Sequence, residues 1–444
     1  MLFGNIAKLK LKTMKKLAQQ PFLICMSILL TGSIGIKAQT ATTNKAAENT
    51  ANWGIKLYGF VRNDIMYDTR QIVSAREGDL SLYAKDKLAD FTGKDINAAP
   101  TFHMLAITSR VGGTITGPNA FGAKTSAILE AEFFGNIDGD INELRLRHAW
   151  AKLDWTKTQL AFGQYWHPMF VPECYPGVID FNTGMPFQPF NRSPQVRLTQ
   201  KLGKGNKAAI ILAVLSQRDF ASAAPSGYTA TDPLRNSAVP NVHLQFQYKD
   251  AAFVGGIGVD YKSLRPRLNS GTPNLVSKER VNSTSVIGYV KLITKPLVVK
   301  AEAVYGENLT DHVMLGGYLG YIAIPGAIET YKSTKTQAYW LDISSTGKKI
   351  VPGLFLGYTA SDGAAAGVAA KAAYGRGIGI SGRGIKNVFR ISPRIEFISG
   401  KFKFGAEAEY TSAQYGTLGT DSKIIGPTDK INNTRFLLTT TYSF

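Results

Sequence analysis

From Asn52 onward, apolar and polar residues alternate with a period of two through much of the chain. That spacing sends successive side chains to opposite faces of a strand. Alternating runs bounded by turn residues predict sixteen strands: 54–67, 101–116, 121–134, 141–155, 158–165, 193–202, 207–219, 239–249, 252–264, 281–294, 297–307, 334–345, 350–360, 386–398, 401–413 and 431–444. The last run, Thr434 to Phe444, is the most legible. Phe436, Leu438, Thr440, Tyr442 and Phe444 share one face, and Arg435, Thr439, Thr441 and Ser443 share the other. A strand with one greasy, aromatic-tipped face and one polar face suits a wall between lipid and water.

The connections sharpen this expectation. Every second one is tight, as at Gly117 to Ala120, Thr156-Lys157, Gly203 to Asn206, Lys249 to Ala251, Lys295-Pro296, Thr346 to Lys349 and Ser399-Gly400. Those between them are mostly long, at 68–100, 166–192, 220–238, 265–280, 308–333, 361–385 and 414–430. Short turns at one rim and long loops at the other predict an all-β, 16-stranded antiparallel transmembrane β-barrel with periplasmic turns and extracellular loops. A soluble sandwich has no reason to sort its loops in this way. Sixteen strands are also wide enough to enclose an aqueous channel rather than being filled by wall side chains.

Composition adds location and charge. Residues 1–38 carry Lys8, Lys10, Lys12, Lys15, Lys16 and Lys37, no acidic residue, and the apolar run Pro21 to Leu30. This is the layout of a secretory signal cleaved after Ala38, placing the mature protein in the outer membrane of a Gram-negative bacterium. Met14 would serve equally well as the start. Residues 39–53 form a short polar periplasmic segment, and 54–444 form the barrel. Removing those six lysines leaves 51 minus 6, or 45, basic residues against 32 acidic ones, a net charge of +13. The 44 glycines, 23 Phe and 19 Tyr fit a turn-rich β protein. No recognition helix or zinc spacing points to nucleic acid, so small anions and anionic lipid are the partners the charge favours. Cys174 is the sole cysteine left after cleavage, so no intramolecular disulfide is available.

Alternation also assigns faces. Lipid takes Leu144, Leu146 and Trp150, which sends Arg145 and Arg147 into the lumen; His148 shares the outward parity and marks an irregularity or an interface. The same argument turns Arg390, Ser392, Arg394 and Glu396 inward opposite Phe389, Ile391, Ile395 and Phe397. It turns Arg110 inward opposite Leu105, Ile107 and Val111, and Arg62 and Asp64 opposite Leu57, Val61 and Ile65. Arg197 goes inward with Gln195 and Thr199, and Arg435 joins from the last strand. The choice of face is physically firm, because Arg facing mid-bilayer lipid costs about 2–4 kcal/mol. Its use has two readings. The guanidinium groups form a ladder that attracts anions and binds carboxylates. Alternatively they pair across the wall with Asp64, Glu143, Glu396, Glu407 and Glu409 and leave little field.

The long segment 166–192 carries five prolines, four Phe, Trp166 and Tyr175, so it is stiff and suited to burial. It either folds into the barrel, leaving Arg192 near a constriction, or packs on a neighbouring subunit. The glycine-rich GRGIGISGRG at 375–384 lacks the strand-to-helix context of a phosphate loop and reads as an extracellular loop. No catalytic set emerges. His103, His148, His167, His243 and His312 show no metal-ligand spacing, no Ser/His pair stands out, and Cys174 reads as a buried loop residue. No cofactor is expected.

At family level, KLYGFVRNDIMYD (Lys56 to Asp68), LRLRHAWAKLDW (Leu144 to Trp155), LAFGQYWHPMF (Leu160 to Phe170), TGMPFQPFNRSPQVRLTQ (Thr183 to Gln200) and the SPRIEF…FKFGAEAEY pair (Ser392 to Tyr410) resemble the DcaP-like trimeric porins of the outer membrane. The resemblance spans the mature chain and implies a homotrimeric barrel with a narrowed basic eyelet that takes up small anionic solutes such as dicarboxylates. It favours Arg62, Arg145, Arg147, Arg192 and Arg197 as pore residues. Some members carry a long N-terminal helical segment that 39–53 is too short to supply. The sequence is therefore read as a passive channel rather than an enzyme, with a loop-based surface receptor or adhesin and a barrel-embedded lipid hydrolase as the alternatives. The C-terminal strand and its Phe444 would be read by the barrel-insertion machinery.

Overall fold

The computed structural model describes residues 53–365 and 369–444. The export signal at 1–38 and all but the last residue of the polar segment 39–53 lie outside the described residues. The rest is a closed antiparallel barrel of sixteen strands. In chain order these are β1 (Gly54–Asp68), β2 (Thr101–Leu105 and Arg110–Ala120), β3 (Ala123–Glu132), β4 (Arg145–Asp154), β5 (Thr158–Trp166), β6 (Arg192–Leu202), β7 (Ala208–Leu215) and β8 (Asn241–Lys249). They continue with β9 (Phe253–Leu264), β10 (Val281–Ile293), β11 (Leu297–Glu307), β12 (Lys335–Ser345), β13 (Ile350–Gly363), β14 (Arg383–Ser399), β15 (Phe402–Leu418) and β16 (Ile424–Ser443). Each pairs with its chain neighbours, and β16 returns to β1 in a register running from Phe60 opposite Ser443 to Asp68 opposite Arg435.

The outer surface is the apolar face that alternation predicts. Leu57, Val61, Phe246, Phe404, Phe436 and Leu438 all project outward, as residues facing lipid do. At the tight-turn rim Phe402 packs on Tyr442 with ring centroids 4.8 Å apart. The Phe444 ring closes over Gly59, where any added Cβ would lie 2.6 Å from it. Main-chain bonds between Gly59 and Phe444 complete the seam.

Two irregularities shift the predicted faces, and a third moves a turn. β2 breaks at 106–109, where Ser109 N donates to Ala106 O, so parity slips by one residue. Phe102 and Met104 therefore face outward, whereas Leu105 and Ile107 pack inside rather than against lipid. β2 also runs on through Gly117, Pro118 and Asn119 with a register shift, and the chain turns at Phe121-Gly122 instead. In β4 a bulge opposite Glu130 and Ala131 puts Arg147 and His148 on the same side. Beyond it Trp150 points into the lumen, not to lipid, and stacks on Tyr165 at 5.3 Å.

The long-loop half of the lumen is not open water. Segment 166–192 folds into the barrel, where Met169, Phe187 and Phe190 are completely enclosed. Leu80, Leu82 and Tyr83 from the first long connection and Leu309, Val313 and Met314 from the connection after β11 join it in one apolar cluster. Wall residues Phe355, Val388 and Ala413 complete that cluster. Most of the prolines and aromatics of 166–192 are thus buried inside the same chain, Pro172 and Tyr175 remaining exposed.

Candidate functional site

The inward-folded segment crosses the lumen and is held by walls on several sides. Arg62 of β1 donates to Ile179 O at 2.7 Å, and Lys300 of β11 donates to Tyr175 O at 2.9 Å. Asp342 of β12 accepts from Gly177 N at 3.1 Å, and Arg390 of β14 donates to Met185 O at 2.7 Å. Glu407 of β15 accepts from Ile179 N, Glu409 accepts from Asn182 Nδ2 at 2.9 Å, and Arg435 of β16 pairs with Asp180 at 2.9 Å.

All nine arginines singled out in the sequence lie against the interior, and eight have a carboxylate within 4 Å. The densest knot surrounds Glu132, which is fully buried. Its Oε1 lies 2.7 Å from Arg145 Nη2 and 3.6 Å from Arg192 Nη1, and its Oε2 lies 2.6 Å from Arg147 Nη1 and 3.2 Å from Arg110 Nη2. Glu130 takes Arg147 Nε at 2.7 Å, and Asp219 takes Arg145 at 2.9 Å and Arg192 at 2.8 Å. Four guanidinium groups thus share three carboxylates. Arg145 also lies over Phe134 and Arg192 over Trp166, at 4.8 and 4.9 Å from the ring centroids. Burial raises the Asp219 carboxyl, but Arg192 and Arg145 outweigh it and hold the group below its ordinary value.

Elsewhere Arg62 pairs with Asp64 at 2.8 Å, Arg390 with Glu409 at 3.1 Å, Arg394 with Asp342 at 2.7 Å and Arg435 with Asp68 at 2.8 Å. Of the acids expected as partners, Asp64 and Glu409 take that role. Glu396 pairs with Lys403 instead, Glu407 serves the loop backbone, and Glu143 is exposed. Glu130 and Glu132 were legible in principle: they stand two apart on β3, opposite the outward Leu129. Asp180 and Asp219 come from loops, where no periodicity marks a face.

Arg197 is different. Its guanidinium donates to Gln195 Oε1 at 2.8 Å and Trp166 O at 2.6 Å and sits over Trp150 and Tyr165, at 5.5 and 5.8 Å. Among the described residues no carboxylate lies within salt-bridge distance of it. It lines a cavity of about 310 Å³ with Lys152, Gln159 and Gln247. An adjoining cavity of about 570 Å³ is lined by Arg62, Arg110 and Arg147 together with Tyr58, Thr441 and Ser443. Tyr58, Lys152, Thr441 and Ser443 lie toward the tight-turn ends of their strands, so both cavities belong to that half of the barrel. Together they form a vestibule beneath the folded-in loop.

Cys174 is buried in the loop, where burial pushes its thiol up to about 12, far from a thiolate nucleophile. Of the five histidines, His167, His243 and His312 converge although they are far apart in sequence, a proximity that spacing alone does not reveal.

No family model matches the sequence, and a search of curated proteins finds no match. Solved structures do match the fold. The outer membrane channel DcaP of Acinetobacter baumannii aligns over 90% of this chain and 99% of its own, with 17% identity and a TM-score of 0.59. An anion-selective porin from Comamonas acidovorans covers 88% of this chain and 100% of its own, with 11% identity and a TM-score of 0.52. OmpT of Vibrio cholerae, in its trimer form, covers 88% and 99%, with 10% identity and a TM-score of 0.50. The fold is that of the sixteen-stranded outer-membrane porins. The DcaP-like resemblance read from the sequence and this likeness in fold agree.

Proposed function

We propose that this protein is an outer-membrane porin for passive diffusion of small solutes, with a preference for anions such as carboxylates. The observation that carries the reading is the vestibule beneath segment 166–192, where Arg197 projects without a carboxylate partner beside Lys152. A guanidinium already held by a glutamine and a main-chain carbonyl keeps its charge available and its position fixed, which suits capture of a carboxylate. Glu173 in the same cavity is offset by Lys249, 3.1 Å away. The knot around Glu132 adds a surplus of one positive charge. The likeness to an anion-selective porin supports the same direction. Residues 1–38 act as the export signal, and three copies assemble in the membrane, a reading supported by a trimeric structural neighbour.

The test is planar-bilayer recording of the purified protein under a salt gradient. A reversal potential of the sign set by anions is expected. Cation preference, or membranes that stay silent at high protein load, would overturn the proposal.

A further inference from the structure

Three histidines and one aspartate meet inside the barrel wall, behind Gln245, which lines the Arg197 cavity. His243 on β8 and Asp260 on β9 are direct cross-strand partners. His167 follows the end of β5, and His312 belongs to the turn after β11. All four are at most 3% exposed. Asp260 Oδ2 lies 3.4 Å from His167 Nε2 and 3.4 Å from His243 Nδ1. Ligating atoms of His167, Asp260 and His312 all fall within 4.8 Å of one another. The His167 and His312 rings stand nearly perpendicular with centroids 4.5 Å apart.

Their hydrogen bonding is incomplete on the side where they meet. His167 Nε2, His243 Nδ1, Asp260 Oδ2 and both nitrogens of His312 have no hydrogen-bond partner. Buried polar atoms without partners are costly; the His167 Nε2–H that faces Asp260 Oδ2 from 3.4 Å offsets part of that cost, and His243 Nδ1 and both His312 nitrogens are left to be explained. His243 is oriented from behind. Gln245 donates through Nε2 to Tyr289 OH at 2.7 Å, so its Oε1 faces His243 Nε2 at 3.0 Å and accepts that N–H. When that ring carries a single proton, its Nδ1 lone pair faces a carboxylate oxygen, two acceptors face to face. Lys262, the nearby cation, is already engaged by Asp311 and Asn308 O.

We infer that His167, His243, Asp260 and His312 form a binding site for a divalent first-row transition ion, of which Zn²⁺ is the natural probe. Imidazole nitrogens with one carboxylate are the donor set such ions take. The ligand atoms of His167, Asp260 and His312 form the core of the set and must close from within 4.8 Å toward the roughly 3.4 Å that tetrahedral bonds of about 2.0–2.2 Å impose, and His243 joins through Nδ1, 3.4 Å from Asp260. Gln245 is the outer partner that fixes the His243 tautomer. Ligation through His167 Nε2 moves its ring proton to Nδ1 and displaces the Met169 N–H that donates there at 3.2 Å. The bound ion would clamp the start of the folded-in loop and the turn after β11 to strands β8 and β9. Because the site is sealed, it loads during folding. This inference does not depend on the porin reading, since metal content is measured without conduction.

The experiment refolds the full mature chain in detergent with and without Zn²⁺, removes free ion, and measures metal by mass spectrometry. Co²⁺ replaces Zn²⁺ in a parallel sample for its visible spectrum. One equivalent per chain is expected, with the Co²⁺ bands of a nitrogen- and oxygen-ligated site. Asp260→Asn and His312→Gln should each abolish retention, and Gln245→Leu should weaken binding about 10–100-fold. Heat-modifiable gel migration verifies that each variant is a folded barrel. A folded wild-type chain that retains no Zn²⁺, or folded Asp260→Asn and His312→Gln variants that retain as much as wild type, would overturn the inference.

Discussion

Replacing Glu132 by Gln tests whether the arginine knot is structural. The carboxylate is fully buried and meets four guanidinium groups at 2.6 to 3.6 Å. Glutamine keeps the shape and one acceptor, but it turns two donors toward groups that only donate. Arg145 and Arg192 retain Asp219, and Arg147 retains Glu130, so the loss is shared rather than total. Arg110 is worst placed, because its remaining acid, Glu130, is 3.7 Å away. Breaking a buried pair by removing one partner costs about 3–5 kcal/mol, which is the expected loss of stability here. Equilibrium urea unfolding of the barrel in detergent, followed by tryptophan fluorescence and gel migration, reads this directly. Adding Arg110→Gln should recover part of the loss, giving a double-mutant coupling of about 1 kcal/mol or more. If Glu132→Gln lost less than about 0.5 kcal/mol, as an exposed pair would, the knot would not be a load on the fold and the reasoning would fail.

Arg197→Ala should lower anion preference in reversal-potential measurements, because one charge roughly 8 Å from a solute at an effective dielectric near 40 is worth about 1 kcal/mol. That is about a fivefold change in local anion concentration, whereas Arg390→Gln combined with Glu409→Gln, which removes a pair and no net charge, should leave the preference nearly unchanged. Leu438→Arg should destabilise the barrel by about 2–4 kcal/mol if it lies near mid-bilayer, since its side chain faces lipid. Asp180→Ala removes the loop's bond to Arg435 and should cost about 1.5–3 kcal/mol, the range for charged hydrogen bonds. Single-channel records of that variant should show more open-state noise, and a trace as quiet as wild type would mean the loop is held by other contacts.

The sixteen strands were legible because a wall between lipid and lumen forces a period of two on the sequence. Sorted turn lengths gave the two rims for the same reason. The places where face assignment failed, Leu105, Ile107 and Trp150, follow a strand break and a bulge. One extra residue reverses every later side chain, and nothing in the local composition of Arg147-His148 announces it beyond the parity of His148 itself. The stiffness of 166–192 was plain from its prolines and aromatics, but its destination was not. Burial inside the barrel depends on wall residues up to 255 positions away in sequence, such as Arg435 with Asp180. The histidine site is illegible for the same reason, being assembled from two strands and two loops.

These placements divide the labour among the arginines. Arg62, Arg390 and Arg435 each meet a wall carboxylate and also reach the crossing segment, at Ile179 O, Met185 O and Asp180. Their charge is consumed in fixing the loop, so an anion passing them meets neutral pairs rather than a ladder of free cations. Arg197 and Lys152 hold no carboxylate among the described residues, and they face the vestibule instead. Stability and selectivity should therefore be separable by position: substitutions at Arg435 act on the fold, and substitutions at Arg197 act on the current. A high count of inward arginines does not by itself make an anion filter. What decides the field is which of them the chain has left without a counter-charge.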